Sequence, residues 1–279
     1  MENILYQIGQ VLLYIIVGGL ILILNIYRFQ STISQGIPSL YRILPRRRIK
    51  ECYKIHLARN INFYKNLDQK SKIEFEKRVQ QFISMKQFIS RSKGLEITCE
   101  ITAIVAGTAV MVTWGFPYVY LSHFKKILIY NDNYYSTITQ QYHKGEVHPG
   151  GIIVLSWAAL KEGFVDREDG INLGIHEMAH ALKIENRVRN EEYSFIEQKA
   201  INKFDKLADL EIYQRADGPE GRYLLRDYSI TNRQEYFAVA VEWFFENPGK
   251  LKEIKPELFD SLVTLLKVNP LSFQAHKAA

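Results

Sequence analysis

Residues 170–182 read Gly-Ile-Asn-Leu-Gly-Ile-His-Glu-Met-Ala-His-Ala-Leu and contain the pattern His-Glu-x-x-His at His176, Glu177 and His180. On a helix, residues four apart lie on one face, so both imidazoles can reach one metal ion. Glu177 lies beside them, where it can accept a proton from a water molecule that the metal activates. The neighbouring side chains are largely apolar, and burying three such polar groups among them is costly without a metal or other partners. The stretch therefore predicts a helix that carries a catalytic zinc site.

The third zinc ligand is expected downstream, because a catalytic zinc ion has three protein ligands and an open fourth position. A third histidine at metzincin spacing would fall at Asn186, which excludes that subclass. Glu235 and Glu242 are the candidates, since they lie seven residues apart on one face of a predicted helix and both interrupt an apolar stretch. Spacing alone leaves both open, and the glutamate that is not a ligand can hydrogen-bond a ligand imidazole.

Periodicity predicts a mainly helical domain with a few short strands. Strands are expected at residues 126–130 and 152–157, with a polar loop at 131–148 between them. The strand at 152–156 is a candidate edge strand on which an extended peptide could be laid. The other predicted helices cover residues 71–83, with a capping box at its start, a stretch opening near Thr98, and residues 169–182, 190–215, 233–245 and 256–266.

The N-terminal region contains 25 residues, 3–27, without a single Asp, Glu, Lys or Arg. This length suits one transmembrane signal anchor, with a buried core helix as the alternative. Basic residues follow it, among them Arg46, Arg47 and Arg48, which places the bulk of the chain on the cytoplasmic side of the inner (cytoplasmic) membrane. A second uncharged run, residues 101–124, is expected to be a buried helix followed by a turn at residues 115–117, because it contains glycines and a proline.

Composition indicates a globular chain: 279 residues are 47% hydrophobic and 24% charged, which excludes a disordered protein. The net charge of +6 is mild, the basic residues are scattered apart from the cluster at 46–48, and no nucleic-acid motif is present, so no nucleic-acid partner is predicted. The two cysteines, Cys52 and Cys99, match no metal-ligand spacing and do not make a disulfide framework, which favours a reducing compartment.

Three segments together resemble the Mlc titration factor A family of zinc peptidases, which is itself similar to the catalytic domain of anthrax lethal factor. They are residues 170–182, 152–157 and 235–245, and the resemblance extends over roughly residues 68–270 with all elements in order. The resemblance implies a zincin-like fold and peptidase activity.

The family pattern places a tyrosine seven residues before the liganding glutamate, and Tyr228 stands seven residues before Glu235. The resemblance therefore implies that Glu235 is the third ligand, that Tyr228 stabilises the oxyanion, and that Glu242 supports a ligand histidine. The family commonly has an aspartate soon after the second histidine, where this chain has Lys183.

These observations predict an α+β, zincin-like metallopeptidase domain, mainly helical with a small sheet, behind one N-terminal transmembrane helix. The predicted organisation is an anchor at 3–27, a basic juxtamembrane linker at 28–67 and a zinc peptidase domain at 68–279. The expected cofactor is Zn²⁺ and the expected substrate a peptide or protein. The alternative is a membrane-anchored regulatory protein that retains the zinc site and binds a cytoplasmic partner such as a transcriptional repressor.

Overall fold

The computed structural model describes residues 17–19, 48–136, 140–166, 169–188, 194–216 and 224–273. All of them except 17–19 belong to one compact unit, residues 46–279. The helices of this unit are α1 (Glu51–Asn60), α2 (Asn62–Asn66), α3 (Gln69–Ser84), α4 (Cys99–Val112), α5 (Trp157–Glu162), α6 (Leu173–Val188), α7 (Gln198–Ala216), α8 (Arg233–Glu246), α9 (Pro248–Ile254) and α10 (Pro256–Leu266). The strands are β1 (Gln87–Ser90), β2 (Lys126–Tyr130), β3 (Tyr134–Ser136), β4 (Gln141–His143), β5 (Gly145–His148) and β6 (Ile152–Ser156). Short 3₁₀ helices cover Asp227–Ile230 and Pro270–Phe273. The predicted α+β class, mainly helical with a small sheet, is confirmed.

The predicted membrane anchor, residues 3–27, lies outside the described residues except for 17–19, and it stays a prediction. In the part of the chain that the structure describes, no helix combines the length and the apolar character needed to cross a bilayer. The apolar run at 101–124 begins instead as the buried helix α4 and ends in irregular structure, as its glycines and proline indicated.

The larger sheet has four strands in the order β1-β2-β6-β5. β1, β2 and β6 run parallel, and β5 runs antiparallel to β6, with Val147 opposite Ile153. The inner strand β6 is almost entirely buried and contacts helices α5 and α6, which suits its run of Ile, Val and Leu. Among the described strands, β5 forms one edge of this sheet.

Two sequence-based expectations for this region are wrong. Residues 152–156 are not an edge strand, since β2 and β5 flank them on both sides. Residues 131–148 are not a simple loop, because β3 and β4 form a hairpin there and β5 follows at once. Their polar composition hid the strands, since two-stranded and edge segments are partly solvated and need no continuous apolar run.

Helix α4 lies at the centre of the helical layer, and every residue from 101 to 112 is buried. The Thr98 hydroxyl accepts a hydrogen bond from the Ile101 amide at 3.2 Å, which caps the helix at the predicted position. At the other end, the buried guanidinium of Arg78 donates to the carbonyls of Thr113, Trp114 and Phe116 at 2.6, 2.7 and 3.1 Å. Both ends of α4 are thereby satisfied inside the protein, so the helix provides a fixed support for the elements packed on it.

Residues 51–66 form α1 and α2 and belong to the folded domain, so the predicted linker at 28–67 extends too far. Leu57 and Ile61 are 0% and 1% exposed and pack against α4. Gly107 of α4 makes this packing possible, because a Cβ at that position would lie 2.5 Å from a methyl group of Leu57. The basic composition of this stretch suggested a linker, although its apolar residues are buried against α4.

A disulfide joins Cys52 of α1 to Cys99 at the start of α4, with the two Cα atoms 6.0 Å apart. The expectation of two unpaired thiols is therefore wrong, and with it the argument from the cysteines for a reducing compartment. The separation of 47 residues hid the pairing in the sequence, because only the packing of α1 on α4 brings the two together.

We expect the Cys52→Ser/Cys99→Ser double variant to have a free energy of unfolding lower by about 3–4 kcal/mol, because the bond constrains a long loop of the unfolded chain. Urea denaturation followed by circular dichroism measures this difference. The parent protein should show the same loss when dithiothreitol is added, and the double variant should not respond to it. Equal midpoints for the parent protein with and without reductant would contradict the assignment of the bond.

Candidate metal centre

Helix α6 carries the His-Glu-x-x-His pattern and is buried along most of its length between α4 and α8. Its N-terminus is capped by Asn172, whose Oδ1 accepts from the Ile175 amide at 3.1 Å, so the helix begins at Leu173 and not at residue 169 as predicted. The Asn172 side-chain amide also donates to the Gly163 carbonyl at 2.7 Å and to Glu246 at 3.0 Å. These bonds fix the first turn of α6, from which His176 projects.

Helix α8 brings Glu235 to the two histidines. Asn232 caps this helix and accepts hydrogen bonds from the amides of Gln234 and Glu235 at 2.8 and 3.1 Å, so Glu235 lies in the first turn. Its Oε2 is 3.1 Å from His176 Nε2 and 3.5 Å from His180 Nε2. The two Nε2 atoms are 3.1 Å apart, and all three atoms lie within 4.8 Å of one another. The structure thus brings His176, His180 and Glu235 together, the three residues that the family resemblance implied as ligands.

The chemistry of these donors fits a metal ion. Two imidazole nitrogens and one carboxylate oxygen from two rigid helices form the three-ligand set of a catalytic metal and leave a position open. Burial opposes a charge on His176, but hydrogen bonds with Glu235 and Glu242 outweigh it and raise its pKa to about 10. For Glu235, burial acts against the charged form, yet the two histidines hold its pKa well below the usual range. The cluster therefore stabilises positive charge at its centre.

Glu242 lies two turns after Glu235 on α8, is fully buried and orients His176. His176 Nδ1 lies 2.7 Å from Glu242 Oε1, so a proton on Nδ1 donates to the carboxylate, and Nε2 faces Glu235 and His180. The same carboxylate accepts hydrogen bonds from both terminal nitrogens of Arg226 at 2.7 and 3.0 Å and from the backbone amide of Asn172 at 2.6 Å. Its charge is thus balanced although no water reaches it.

Arg226 and Asn172 are parts of the site that the sequence reasoning missed. Arg226 also donates to the Gly170 carbonyl at 3.0 Å, and so connects the segment before α6 to α8. Gly170 has a φ of +70°, and a Cβ there would lie 2.2 Å from the ring of Trp243, so only glycine fits. Nothing in the local sequence distinguishes Arg226 from a surface arginine, because its partners are 16 and 56 residues away.

Glu177 is 5% exposed, and its carboxyl group lies against Gly145 of β5. A Cβ at Gly145 would lie 2.6 Å from Glu177 Oε1, so the absence of a side chain on Gly145 makes room for the carboxyl group. Burial raises the pKa of Glu177, and this effect exceeds the opposing attraction of His176 and His180. A carboxylate held in this way binds a proton more readily than an exposed one.

Tyr228 lies on the 3₁₀ helix Asp227–Ile230 that precedes α8, and its side chain is 53% exposed. Its ring centroid is 6.1 Å from that of His176, so the side chain lies beside the histidine cluster. Burial and the charge of Glu235 raise the pKa of Tyr228, which keeps the hydroxyl protonated as a donor. Arg215 holds this turn by donating to the Leu225 carbonyl at 3.0 Å and to the Ser229 hydroxyl at 3.1 Å.

These groups line a cleft of about 240 Å³. One wall is β5 with Gly145, Glu146 and Val147, and the opposite wall is α6 with the metal-site histidines. The cleft therefore places the candidate metal ligands, Glu177 and the free edge of a sheet around one open space.

A buried His-Glu-x-x-His helix with a carboxylate from a second helix is the arrangement of a metallopeptidase. Residues 39–267 match the model of the family described as glucose-regulated metallo-peptidase M90, and the chain belongs to this family. Membership in a metallopeptidase family implies that the protein binds a metal ion.

The relatives agree with this assignment. An uncharacterised protein of Synechocystis sp. is 25% identical over 241 residues, which cover 77% of this chain and 83% of the relative. The Mlc titration factor A proteins of Yersinia pestis and Yersinia pseudotuberculosis are 26% identical over 236 residues, covering 78% of this chain and 85% of theirs. The predicted relationship to the Mlc titration factor A family is confirmed.

We expect Glu242→Gln to weaken metal binding by about 10–100-fold, because the neutral amide no longer fixes the His176 ring and leaves Arg226 without its counter-charge. Competition with a chromophoric chelator measures the affinity, and circular dichroism checks the fold. Glu253→Gln, on the exposed surface of α9, is the matched control and should bind metal as the parent does. Unchanged affinity in the folded Glu242→Gln protein would show that this contact does not support the site.

Proposed function

We propose that this chain is a zinc-dependent peptidase in which His176, His180 and Glu235 bind the ion and Glu177 is the general base. The observation that carries the proposal is the buried Glu177 carboxyl group beside a His, His, Glu cluster at the edge of a sheet. Zinc suits the site because two imidazoles and one carboxylate with an open position are a common zinc donor set. When bound, the ion supplies a Lewis acid that polarises the scissile carbonyl and acidifies water.

Glu177 is suited to move the proton of the attacking water. Its carboxyl group is buried in the cleft next to Gly145, and its raised pKa favours accepting a proton near neutral pH. It then returns that proton to the amine that leaves when the peptide bond breaks. Glu177 thus takes up the proton when water adds to the carbonyl and gives it back when the C–N bond breaks, so the proton is conserved over one turnover.

Tyr228 is proposed to stabilise the carbonyl oxygen as it becomes negative. Its hydroxyl lies beside Glu235, it is half exposed towards the cleft, and it remains protonated because its pKa is raised. A hydrogen-bond donor that strengthens its contact in the transition state lowers the barrier. Arg215, which holds the turn, keeps this tyrosine in position.

The substrate backbone is proposed to bind along β5. This strand pairs only with β6 in the described part of the sheet, and its residues 145–147 line the cleft. An extended peptide can add to such an edge through its backbone groups, which gives binding with little dependence on sequence. Selectivity must then come from pockets that receive individual side chains.

A second candidate is a regulatory protein that binds a partner protein, such as a transcriptional repressor, without turnover. The Yersinia relatives carry the name Mlc titration factor A, which points to a regulatory role for those proteins. Affinity capture with the parent chain and with Glu177→Gln, followed by analysis of whether the partner is cut, separates the candidates. An intact partner held equally by both proteins would favour binding alone.

We expect Glu177→Gln to retain zinc and to lower kcat/KM on a quenched-fluorescent peptide library by about 10²–10⁴-fold, since the amide cannot accept the proton. Zinc content and initial rates are measured on the same preparation. Glu253→Gln serves again as the surface control. Full activity in a zinc-loaded Glu177→Gln protein would exclude this mechanism.

We expect Tyr228→Phe to lower kcat by about 10²–10³-fold with little change in KM, because only the transition-state hydrogen bond is lost. The fold should be unaffected, since the ring is half exposed. Tyr213→Phe on α7, where the side chain is 70% exposed, is the matched control. A kcat equal to that of the parent would remove Tyr228 from the mechanism.

A further inference from the structure

A second cavity of about 560 Å³ lies next to the catalytic cleft. Lys183 and Arg187 line both spaces, so they form a common wall. The rest of the side cavity is mixed: Phe204 of α7, Phe237 of α8 and Leu265 of α10 give it an apolar part, and polar side chains including Asp205 complete it. A substrate side chain that leaves the cleft in this direction would pass Lys183 first and then contact apolar surface.

Lys183 belongs to the same helix face as the metal-site histidines. It follows His180 by three residues and His176 by seven, which is one and two turns of α6. Its Nζ lies 5.0 Å from the centre of the Phe237 ring, in contact with the π face. The side chain is therefore held at the junction between the cleft and the side cavity, not extended into solvent.

The ammonium group of Lys183 has no carboxylate partner within ion-pair distance among the described residues. Burial lowers the pKa of Lys183. The negative charge of Asp205 opposes this shift, and the positive charges of Arg187 and Arg233 lower the pKa further. Asp205, the acidic residue of the side cavity, pairs with Arg233 and not with Lys183: its Oδ2 lies 3.4 Å from Nη1 of Arg233. A partly buried cation that has no carboxylate in direct contact is costly, and an anionic ligand group relieves that cost.

The ligand group that fits this wall is a carboxylate on a short aliphatic stem. The apolar residues suit the stem, Lys183 suits the charge, and Arg187, one turn further along α6 and exposed, adds positive potential at the rim. Cationic side chains are disfavoured there by both basic residues.

We propose that Lys183 is a specificity-determining residue that binds a carboxylate of the peptide substrate in the side cavity. The inference deepens the proposed function and rests on it for the identity of the ligand as a peptide. The carboxylate can belong to a glutamate or aspartate side chain or to the C-terminus of the peptide, since the chemistry is the same.

The test uses zinc-loaded, full-length Glu177→Gln protein, so that binding is measured without cleavage. The probes are fluorescein-labelled alanine–serine peptides with blocked ends and a central Glu, Gln or Leu, and a fourth peptide with Gln and a free C-terminus. An alanine–serine peptide can bind in several registers along the cleft. Its central residue can therefore reach the side cavity at whatever distance from the metal the cavity lies. Fluorescence anisotropy gives each Kd.

We expect the peptide with Glu, or the one with the free C-terminus, to bind about tenfold more tightly than the blocked Gln peptide. Whichever binds tightly identifies the source of the carboxylate. Adding Lys183→Met, which keeps the aliphatic stem, should remove the difference, and Lys183→Arg should restore most of it. Lys199→Met, which removes an exposed charge from neighbouring α7, should leave the preference intact.

Equal affinity for all four peptides, no measurable binding, or a preference that survives Lys183→Met would overturn the proposal. The parent protein is assayed for cleavage of the same peptides in parallel. Cleavage without a carboxylate preference would refute the role of Lys183 alone. A Lys183-dependent preference without cleavage would refute the peptidase function and leave the binding site standing.

Discussion

The buried carboxylate of Glu242 joins the parts of the site that come from distant positions in the chain. It binds His176 on α6, Arg226 before the 3₁₀ turn and the backbone amide of Asn172 at the α6 cap. A buried charge of this kind is tolerated only when all its acceptor positions are satisfied, so these contacts depend on one another. The orientation of the His176 ring, and with it the geometry of the candidate metal ligands, follows from this one group.

The helical support under the site is set by packing and not by helix propensity. α4 is buried over residues 101–112, it contacts α1, α3 and α6, and its ends are satisfied by Thr98 and Arg78. Since α6 packs on this fixed helix and on α8, the two histidines and Glu235 are presented by elements that have little freedom to shift. The β5 edge completes the cleft from the other side, where Gly145 and Glu177 are in close contact.

The sequence predicted the parts that depend on local periodicity. The helix with His176 and His180, the helix with Glu235 and the buried apolar helix after Thr98 all follow from patterns within one element. Spacing alone did not separate Glu235 from Glu242, because both face the same side, and only the family resemblance favoured Glu235. In the structure the first turn of α8 reaches the histidines, and Glu242 lies behind them.

The missed features all depend on tertiary contacts. Arg226 becomes part of the site only when folding brings it into contact with Glu242, 16 residues later, and Gly170, 56 residues earlier. Cys52 and Cys99 pair only because α1 packs on α4. The edge strand β5 is short and polar, so its role comes from the neighbouring β6 and not from its own composition.

The bond between Cys52 and Cys99 also determines the path of mechanical force through the domain. Tension applied to the chain ahead of α1 reaches Cys52 almost at once and is carried across the sulfurs to the first residue of α4. The 46 residues between the cysteines, 53–98, include α2, α3 and β1 and lie outside this covalent path. A pull on the N-terminal side therefore acts directly on the helix that supports α6.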